Sequence, residues 1–337
     1  MARRVTVISG GDSPEREISL ASGEAVADAL EELGDSVRRI DPTVRALEDV
    51  TWESGDVALL ALHGPGGEDG TVQEILTQLG VTFTGCDVQA SKKAFVKSEA
   101  KRSFRASGVT TPDWVLLERD SDLHDVLRLA RLDQVAWSDR LVVKPDAQGS
   151  SLGVTLVETP AEFSTAVASA FVLGDRVLVE RAVAGPEWTV ALVDDAWFPP
   201  LRIGAGQEIF DFEAKYSGSP PIDAPPVLSG STAEAVVLAA CAACQSLGTR
   251  GLVRVDLRED ELGTPHVLEV NSIPGLTDHS LVPAAARLAG WSLGEVARMM
   301  IASALLGPRL WHIRQDRSSS RPGDPLSPGV TRDGISG

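Results

Sequence analysis

"LVVKPDAQGSSLGV", residues 141–154, sets a lysine at the end of an apolar run, then a Gly/Ser turn, then the start of a second apolar run. Its flanks read as strands. A Walker A loop is therefore excluded, because there the lysine follows the glycines and opens a helix. A Gly-rich turn between two strands can fold over a triphosphate: Gly149 to Gly153 offer backbone N–H donors, and Lys144 supplies a point charge on the strand beneath. The same letters also describe a plain hairpin with a solvated lysine, and nothing inside the stretch decides between the two.

Working outward, the flanking residues form a central unit over 100–185. It contains a helix through "SEAKRSFRASG", a strand "DWVLL", a helical stretch near Leu123, and the strands "LVVKP", "GVTLVE" and "RVLVERAV". Before it, residues 1–99 alternate short apolar runs with helical patterns: "RVTVIS", "REISLASGEAVADALEEL", "DVALLAL", "GTVQEILTQLG". That βαβα order predicts a parallel sheet with ligand contacts in the loops after its strands. After it, residues 186–313 carry the strands "EWTVALV", "LVRVDLRE" and "HVLEVN" and close on the helical pattern "SLGEVARMMIASALL". Residues 314–337 lack periodicity, are rich in Ser, Pro, Gly and Arg, and are expected to be a disordered tail. The fold class is α/β in three subdomains.

The 337 residues, 43% of them hydrophobic and 23% charged, can bury a substantial core. No stretch is long enough to span a bilayer, and the apolar run after "MARR" is too short for a signal peptide. Cys86, Cys241 and Cys244 are too few and too uneven for a disulfide framework, which points to a reducing cytoplasm. The last two lie in an Ala-rich helical pattern and read as small core residues. A formal charge of −17 argues against nucleic acid as a partner, so any bound anion must be met by local cations. Only six of the 31 basic residues are lysines, so a lysine in a special loop draws notice.

A second constellation lies in "LVRVDLRED" and "HVLEVNSIPG". Residues two apart on a strand share a face, so Arg254 and Asp256 point one way, as do Glu269 and Asn271 on the next strand. Paired antiparallel, these strands gather two carboxylates, a carboxamide oxygen and a guanidinium. Hard oxygen ligands of that kind suit magnesium bound together with phosphate oxygens; a solvated sheet face would alternate in the same way. "SIPG" adds a turn whose N–H groups could face a developing negative charge. Lys215 and Tyr216 head a Gly/Pro/Ser-rich segment suited to a mobile lid. In "GGDSPEREIS", Ser13 as N-cap, Pro14 at N1 and Glu15 in the first turn make an ordinary helix start, which accounts for Glu15. His63 opens "HGPGGEDG", as a ligand contact or as turn chemistry.

Taken together, "GGDSPEREISLASG", "ALHGPGGEDGTVQ", "FVKSEAK", "VVKPDAQGSSLGV", "VLVERAVAGPEWTV", "FDFEAKY", "LVRVDL" and "LEVNSIPGLTDHSLVP" resemble the D-alanyl-D-alanine ligases of the ATP-grasp superfamily. The resemblance runs in the same order from near Val5 to about Ala302. It implies a nucleotide held between the central and C-terminal subdomains, with Lys97, Lys144 and Lys215 on the ATP phosphates beneath the loop that contains Ser151. It further implies that Glu180 to Val183, with Arg181 at a place usually held by lysine, bond the adenine, and that Glu187 holds the ribose. Asp256, Glu269 and Asn271 are implied as ligands of two magnesium ions, with manganese as an alternative.

For the substrates, the resemblance assigns Glu15 to the ammonium of a first D-alanine, with His63 near it, and Ser280 and Leu281 to the pocket of a second. Ser150, Tyr216 and Glu15 resemble the set that ties a closed lid to the first domain, and Arg254 and the Gly275 N–H resemble an oxyanion site. The implied reaction joins two D-alanines through an acyl phosphate, for peptidoglycan synthesis, in a cytoplasmic homodimer. Tyr216 stands where depsipeptide-forming relatives typically differ, so an amide product is expected. Two alternatives stand beside this one. The chain could be a related ligase for other amino acids, or a nucleotide-binding module without catalysis, which the set Arg254, Asp256, Glu269 and Asn271 argues against.

Overall fold

The computed structural model describes residues 4–121, 140–203, 222–223 and 231–306, and three β-sheets carry its architecture. Strands β1 (Arg4–Ile8), β2 (Ser36–Ile40), β3 (Val57–Leu60) and β4 (Thr82–Phe83) pair in parallel in the order β2-β1-β3-β4. Parallel strands need crossovers and are buried on both faces; "VALL" of β3 is accordingly buried throughout. Helix α1 (Arg16–Glu32) makes the first crossover and turns Val26, Ala27 and Leu30 inward. Helices α2 (Thr71–Gln78), α3 (Val88–Phe95) and α4 (Lys97–Ala106) follow. The periodicity of the first 99 residues led to this parallel sheet. It did not show β2, an edge strand four of whose five residues are at least partly exposed, or β4, which is two residues long.

The stretch from 141 forms a hairpin in the middle sheet. Strands β5 (Trp114–Glu118), β6 (Leu141–Pro145), β7 (Thr155–Val157) and β8 (Arg176–Arg181) pair antiparallel in the order β5-β8-β6-β7, with Leu141 opposite Val157 and Val143 opposite Thr155. Helix α5 (Pro160–Val172) covers one face, and Thr159 caps it by accepting from the Glu162 N–H. Val115, Leu117, Leu141, Val143, Val157, Phe163, Val177 and Val179 close a core that belongs to this sheet alone.

The third sheet contains β9 (Glu187–Val193), β10 (Ala196–Trp197), β11 (Leu201–Ile203), β12 (Ile222–Asp223), β13 (Leu252–Glu259) and β14 (Pro265–Asn271). Its order is β12-β11-β9-β13-β14, with β10 on β9, and it is antiparallel. Helix α6 (Ser231–Leu247) covers one face together with α3 and α4, whose Ala90, Ala94, Ala100 and Phe104 share a core with Val190, Val255 and Val267. The helix grouped with the central unit from sequence thus spends its apolar residues on the third sheet. Helices α7 (Leu281–Leu288) and α8 (Leu293–Leu306) lie on the other face, where Leu281, Val282, Val296 and Met300 join Val7, Val26 and Leu59 in one core. The first and third sheets are therefore welded by apolar packing.

Polar contacts connect α4 back to the middle sheet. Asp146, directly after β6, accepts from the Ser98 N–H at 2.7 Å and from its hydroxyl at 2.8 Å, and Arg176 of β8 lies 2.9 Å from the same carboxylate. The cysteines are free, and burial pushes the thiols of Cys86 and Cys244 up to about 12, which keeps them inert. Among the described residues no helix is long and apolar enough to cross a membrane. The expected tail, 314–337, lies outside the described residues, as does the helical stretch near Leu123.

Phe104 is fully buried in the core that joins α4 to the third sheet. Phe104→Ala is expected to lower the unfolding free energy by about 3–5 kcal/mol in urea titrations; a loss below about 1 kcal/mol would contradict this packing.

Candidate active site

Between the middle and third sheets runs a cleft of about 650 Å³, open to solvent. The hairpin contributes Val142, Lys144, Ser151 and Val154 to it, and the exit of β8 contributes Glu180 to Val183. The third sheet faces them with Glu187, Asp256, Arg258 and Glu269. On the cleft floor the Lys144 ammonium lies 2.9 Å, and that of Lys101 3.0 Å, from the same Glu180 oxygen. Burial opposes the charge on Glu180, yet the two ammonium groups outweigh it and hold the carboxyl below its ordinary value. Burial also pulls Lys101 down to about 8, against the pull of Glu180. Arg258, two residues past Asp256, donates to the Val183 carbonyl at 3.2 Å and lies 3.5 Å from Glu187. Arg258 was not singled out from sequence, although it lies on the same two-residue alternation as Arg254 and Asp256.

The strand pair β13/β14 brings its four polar residues together as the alternation required. Asp256 faces Glu269 and Arg254 faces Asn271, and the register shifts immediately after Asp256. Such an irregularity re-aims side chains beside a site. The Asp256 carboxylate accepts from Arg254 Nε at 2.9 Å and Nη2 at 2.7 Å, from the Thr189 hydroxyl at 2.7 Å, and from the Asn271 amide at 3.3 Å. Lys97, at the start of α4, lies 3.4 Å from Glu269 and donates to the Gln148 carbonyl at 2.6 Å, which ties this pair to the Gly/Ser turn. No three His, Cys, Asp or Glu converge on one metal position among the described residues. Two carboxylates and a carboxamide oxygen fit a divalent ion whose remaining ligands are phosphate and water oxygens.

The turn itself is strained. Ser150 and Ser151 hold φ values of 50° and 55°, the left-handed region that residues with side chains seldom occupy. The Ser150 hydroxyl donates to Glu15, which precedes α1 beside the first sheet. A Cβ on Gly149 or Gly64 would stand 2.5 or 2.4 Å from a Glu15 oxygen, so both positions must stay bare for that carboxylate to fit. Local grammar makes Glu15 an ordinary first-turn acid, whereas the family resemblance groups it with Ser150, and the structure brings those two side chains together. The helix begins at Arg16, Glu15 stands at its N-cap position without capping it, and the Ser13 hydroxyl accepts from the Glu15 N–H. That turn leaves the Glu15 side chain for the corner shared with Ser150.

His63 is buried with both ring nitrogens engaged: Nδ1 lies 3.0 Å from the Ile273 carbonyl and Nε2 3.2 Å from the Ser22 hydroxyl, which also accepts from the Leu276 N–H. The carbonyl can only accept, so Nδ1 carries the proton and Nε2 accepts. His63 thereby fastens the end of β3 and α1 to the turn after β14. In that turn a Cβ on Gly275 would meet the Ser280 hydroxyl at 2.8 Å. Ser280 also contacts Thr277 at 2.8 Å, and Leu281 is buried in the adjoining core. Lys215 and Tyr216 lie outside the described residues.

The family model described as D-ala D-ala ligase C-terminus matches residues 104–302. The D-alanine–D-alanine ligase of Gloeobacter violaceus is 40% identical over 308 residues, covering 90% of this chain and 99% of that one. The chain belongs to the D-alanine–D-alanine ligase family. A second family member, from Halorhodospira halophila, is 41% identical, with 90% and 96% covered. The crystal structure of the Bacillus anthracis family enzyme complexed with ATP has a TM-score of 0.77 at 30% identity, with 90% of this chain and 98% of that one covered.

Two buried groups in this family member escaped the sequence reading. Lys101 sits mid-helix, where a lysine normally reads as solvated. Glu68 was within reach, in the quoted "HGPGGEDG": it is buried, accepts from the Gly64 N–H at 2.8 Å, and is pushed up to about 8 by burial and then by Glu15. His63 gives a test in pH. Burial, opposed by the Ile273 carbonyl, holds it at about 4 against an ordinary 6.5. Below 6.5 the unfolded chain takes up a proton that the native ring refuses. The contribution of His63 to stability is thus full above about 6.5, shrinks as pH falls, and is gone below about 4, a loss of about 3 kcal/mol. Urea unfolding across that range is expected to show this slope in the wild type and a shallower one in His63→Gln.

Proposed function

We propose that this chain joins two D-alanines into D-alanyl-D-alanine at the cost of ATP, by way of an acyl phosphate, on an ATP-grasp architecture with the nucleotide between the middle and third sheets. The observation that carries this is convergence: Lys144, the strained Gly/Ser turn, Asp256 and Glu269 border one cleft, and Lys97 and Ser150 link that turn to Glu269 and to Glu15. Family membership supports the same reading.

In this reading the triphosphate lies under the turn at 149–153, with Lys144 and Lys97 as its cations and Ser151 in the cradle. Backbone groups from Glu180 to Val183, with Arg181 beside them, bond the adenine, and Glu187 the ribose; Lys215 completes the phosphate set. Glu15 receives the ammonium of the first D-alanine, beside the region His63 braces. Ser280 and Leu281 receive the second. Asp256, Glu269 and Asn271 would hold the magnesium ions, which neutralise charge on the phosphates when bound. A carboxylate is a poor electrophile, so phosphorylation of the first D-alanine precedes attack by the amine of the second. Arg254 and the Gly275 N–H stabilise the oxyanion that this attack creates. Ser150 and Tyr216 with Glu15 close the site and keep water from the acyl phosphate. We place the chain in the cytoplasm, in keeping with its free cysteines, as a homodimer serving peptidoglycan synthesis.

Phosphate release is expected with ATP, magnesium and D-alanine, with a product of D-alanyl-D-alanine mass; a panel of other amino acids that wins over D-alanine would overturn the substrate assignment. Chelation should abolish release and added magnesium restore it. Asp256→Asn should keep the fold by circular dichroism while kcat drops about 100-fold or more, roughly 3 kcal/mol of barrier.

A further inference from the structure

Two lysines meet one carboxylate on the cleft floor. Glu180 is 2% exposed, Lys101 0% and Lys144 6%, so a buried site carries two positive charges against one negative. In a chain of net charge −17 this is a local positive surplus, and a buried unmatched ammonium is costly until an anion meets it.

The two lysines differ in how they are held. Lys101 belongs to α4, whose Ala100 and Phe104 anchor it on the third sheet. Its ammonium also donates to the Thr111 hydroxyl at 2.6 Å, and Thr111 donates in turn to the Val267 carbonyl of β14 at 2.8 Å. It is absent from the cleft wall, whereas Lys144 and Glu180 form part of that wall. Asp146 pins the first turn of α4 to the end of β6 through Ser98, so the helix bearing Lys101 and the strand bearing Lys144 keep a fixed separation.

We propose that Lys101 is the permanent counter-ion of Glu180, a positioning residue that frees Lys144 for the nucleotide phosphates. This rests on the cleft being the nucleotide site. A phosphate that draws Lys144 away removes one of two ammonium groups from Glu180, and Lys101 keeps the carboxylate neutralised. Without Lys101, Glu180 has Lys144 as its remaining ammonium partner, and the nucleotide must then break a buried ion pair to use it. Lys144 serves bound ATP before and during reaction alike, so the loss falls on ATP affinity more than on turnover.

The test is a double-mutant cycle in steady-state kinetics. Lys101→Met should raise KM for ATP about tenfold or more while kcat changes less than about threefold and KM for D-alanine is unaltered. In a Glu180→Gln background, where no carboxylate competes for Lys144, the same substitution should change KM for ATP less than about twofold. Equal effects in both backgrounds, or no rise in the first, would overturn the inference. If Lys101→Met alone fails to fold, the comparison of Glu180→Gln with the double variant decides: matching KM values support the inference and a tenfold gap defeats it. A wild-type protein that neither binds nor turns over ATP would instead remove the nucleotide reading, and this inference with it.

Discussion

Among the described residues the middle sheet closes its own apolar core, and polar contacts join it to the rest of the molecule. Four of them matter most: Ser98 to Asp146, Lys101 to Glu180, Lys97 to the Gln148 carbonyl, and Ser150 to Glu15. The other two sheets share packed side chains and form one body. The cleft is the seam between that body and the middle sheet. Its chemistry follows from this, since groups that bridge a seam in water must be charged or hydrogen-bonding, and those are the groups that handle phosphate.

Three of these bridges have a second partner: Arg176 on Asp146, Thr111 on Lys101 and Glu269 on Lys97. Glu269 is near Lys97 while facing Asp256 in register, and Asp256 is gripped by Arg254, Thr189 and Asn271. Such networks fix side chains that would otherwise lose rotamer entropy on binding. An acidic chain thereby concentrates cations at one seam, where a polyanion gains most from them.

The sequence was most legible where period two governs. Arg254 and Asp256, like Glu269 and Asn271, share a face by the two-residue alternation, and the observed register sets them in facing pairs; the hairpin after residue 141 followed from its two apolar runs. It was least legible where long-range contacts override local grammar. Ser13-Pro14-Glu15 reads locally as an ordinary helix start, and the pairing of Glu15 with Ser150, 135 residues away, was legible only through the family resemblance. Lys101 shows the same limit, since no local pattern tells a solvated lysine from one buried against a distant glutamate. The attachment of α4 to the third sheet was invisible for the same reason: its apolar residues say that they are buried, not against what.

The separate core of the middle sheet has a thermal consequence. Parting the cleft walls would break the polar bridges while leaving both apolar cores closed, so such a motion would carry a smaller heat-capacity change than unfolding. Its equilibrium then drifts gently with temperature, while global unfolding, which tears open the joint core of the other two sheets, keeps the steep curvature of ordinary denaturation.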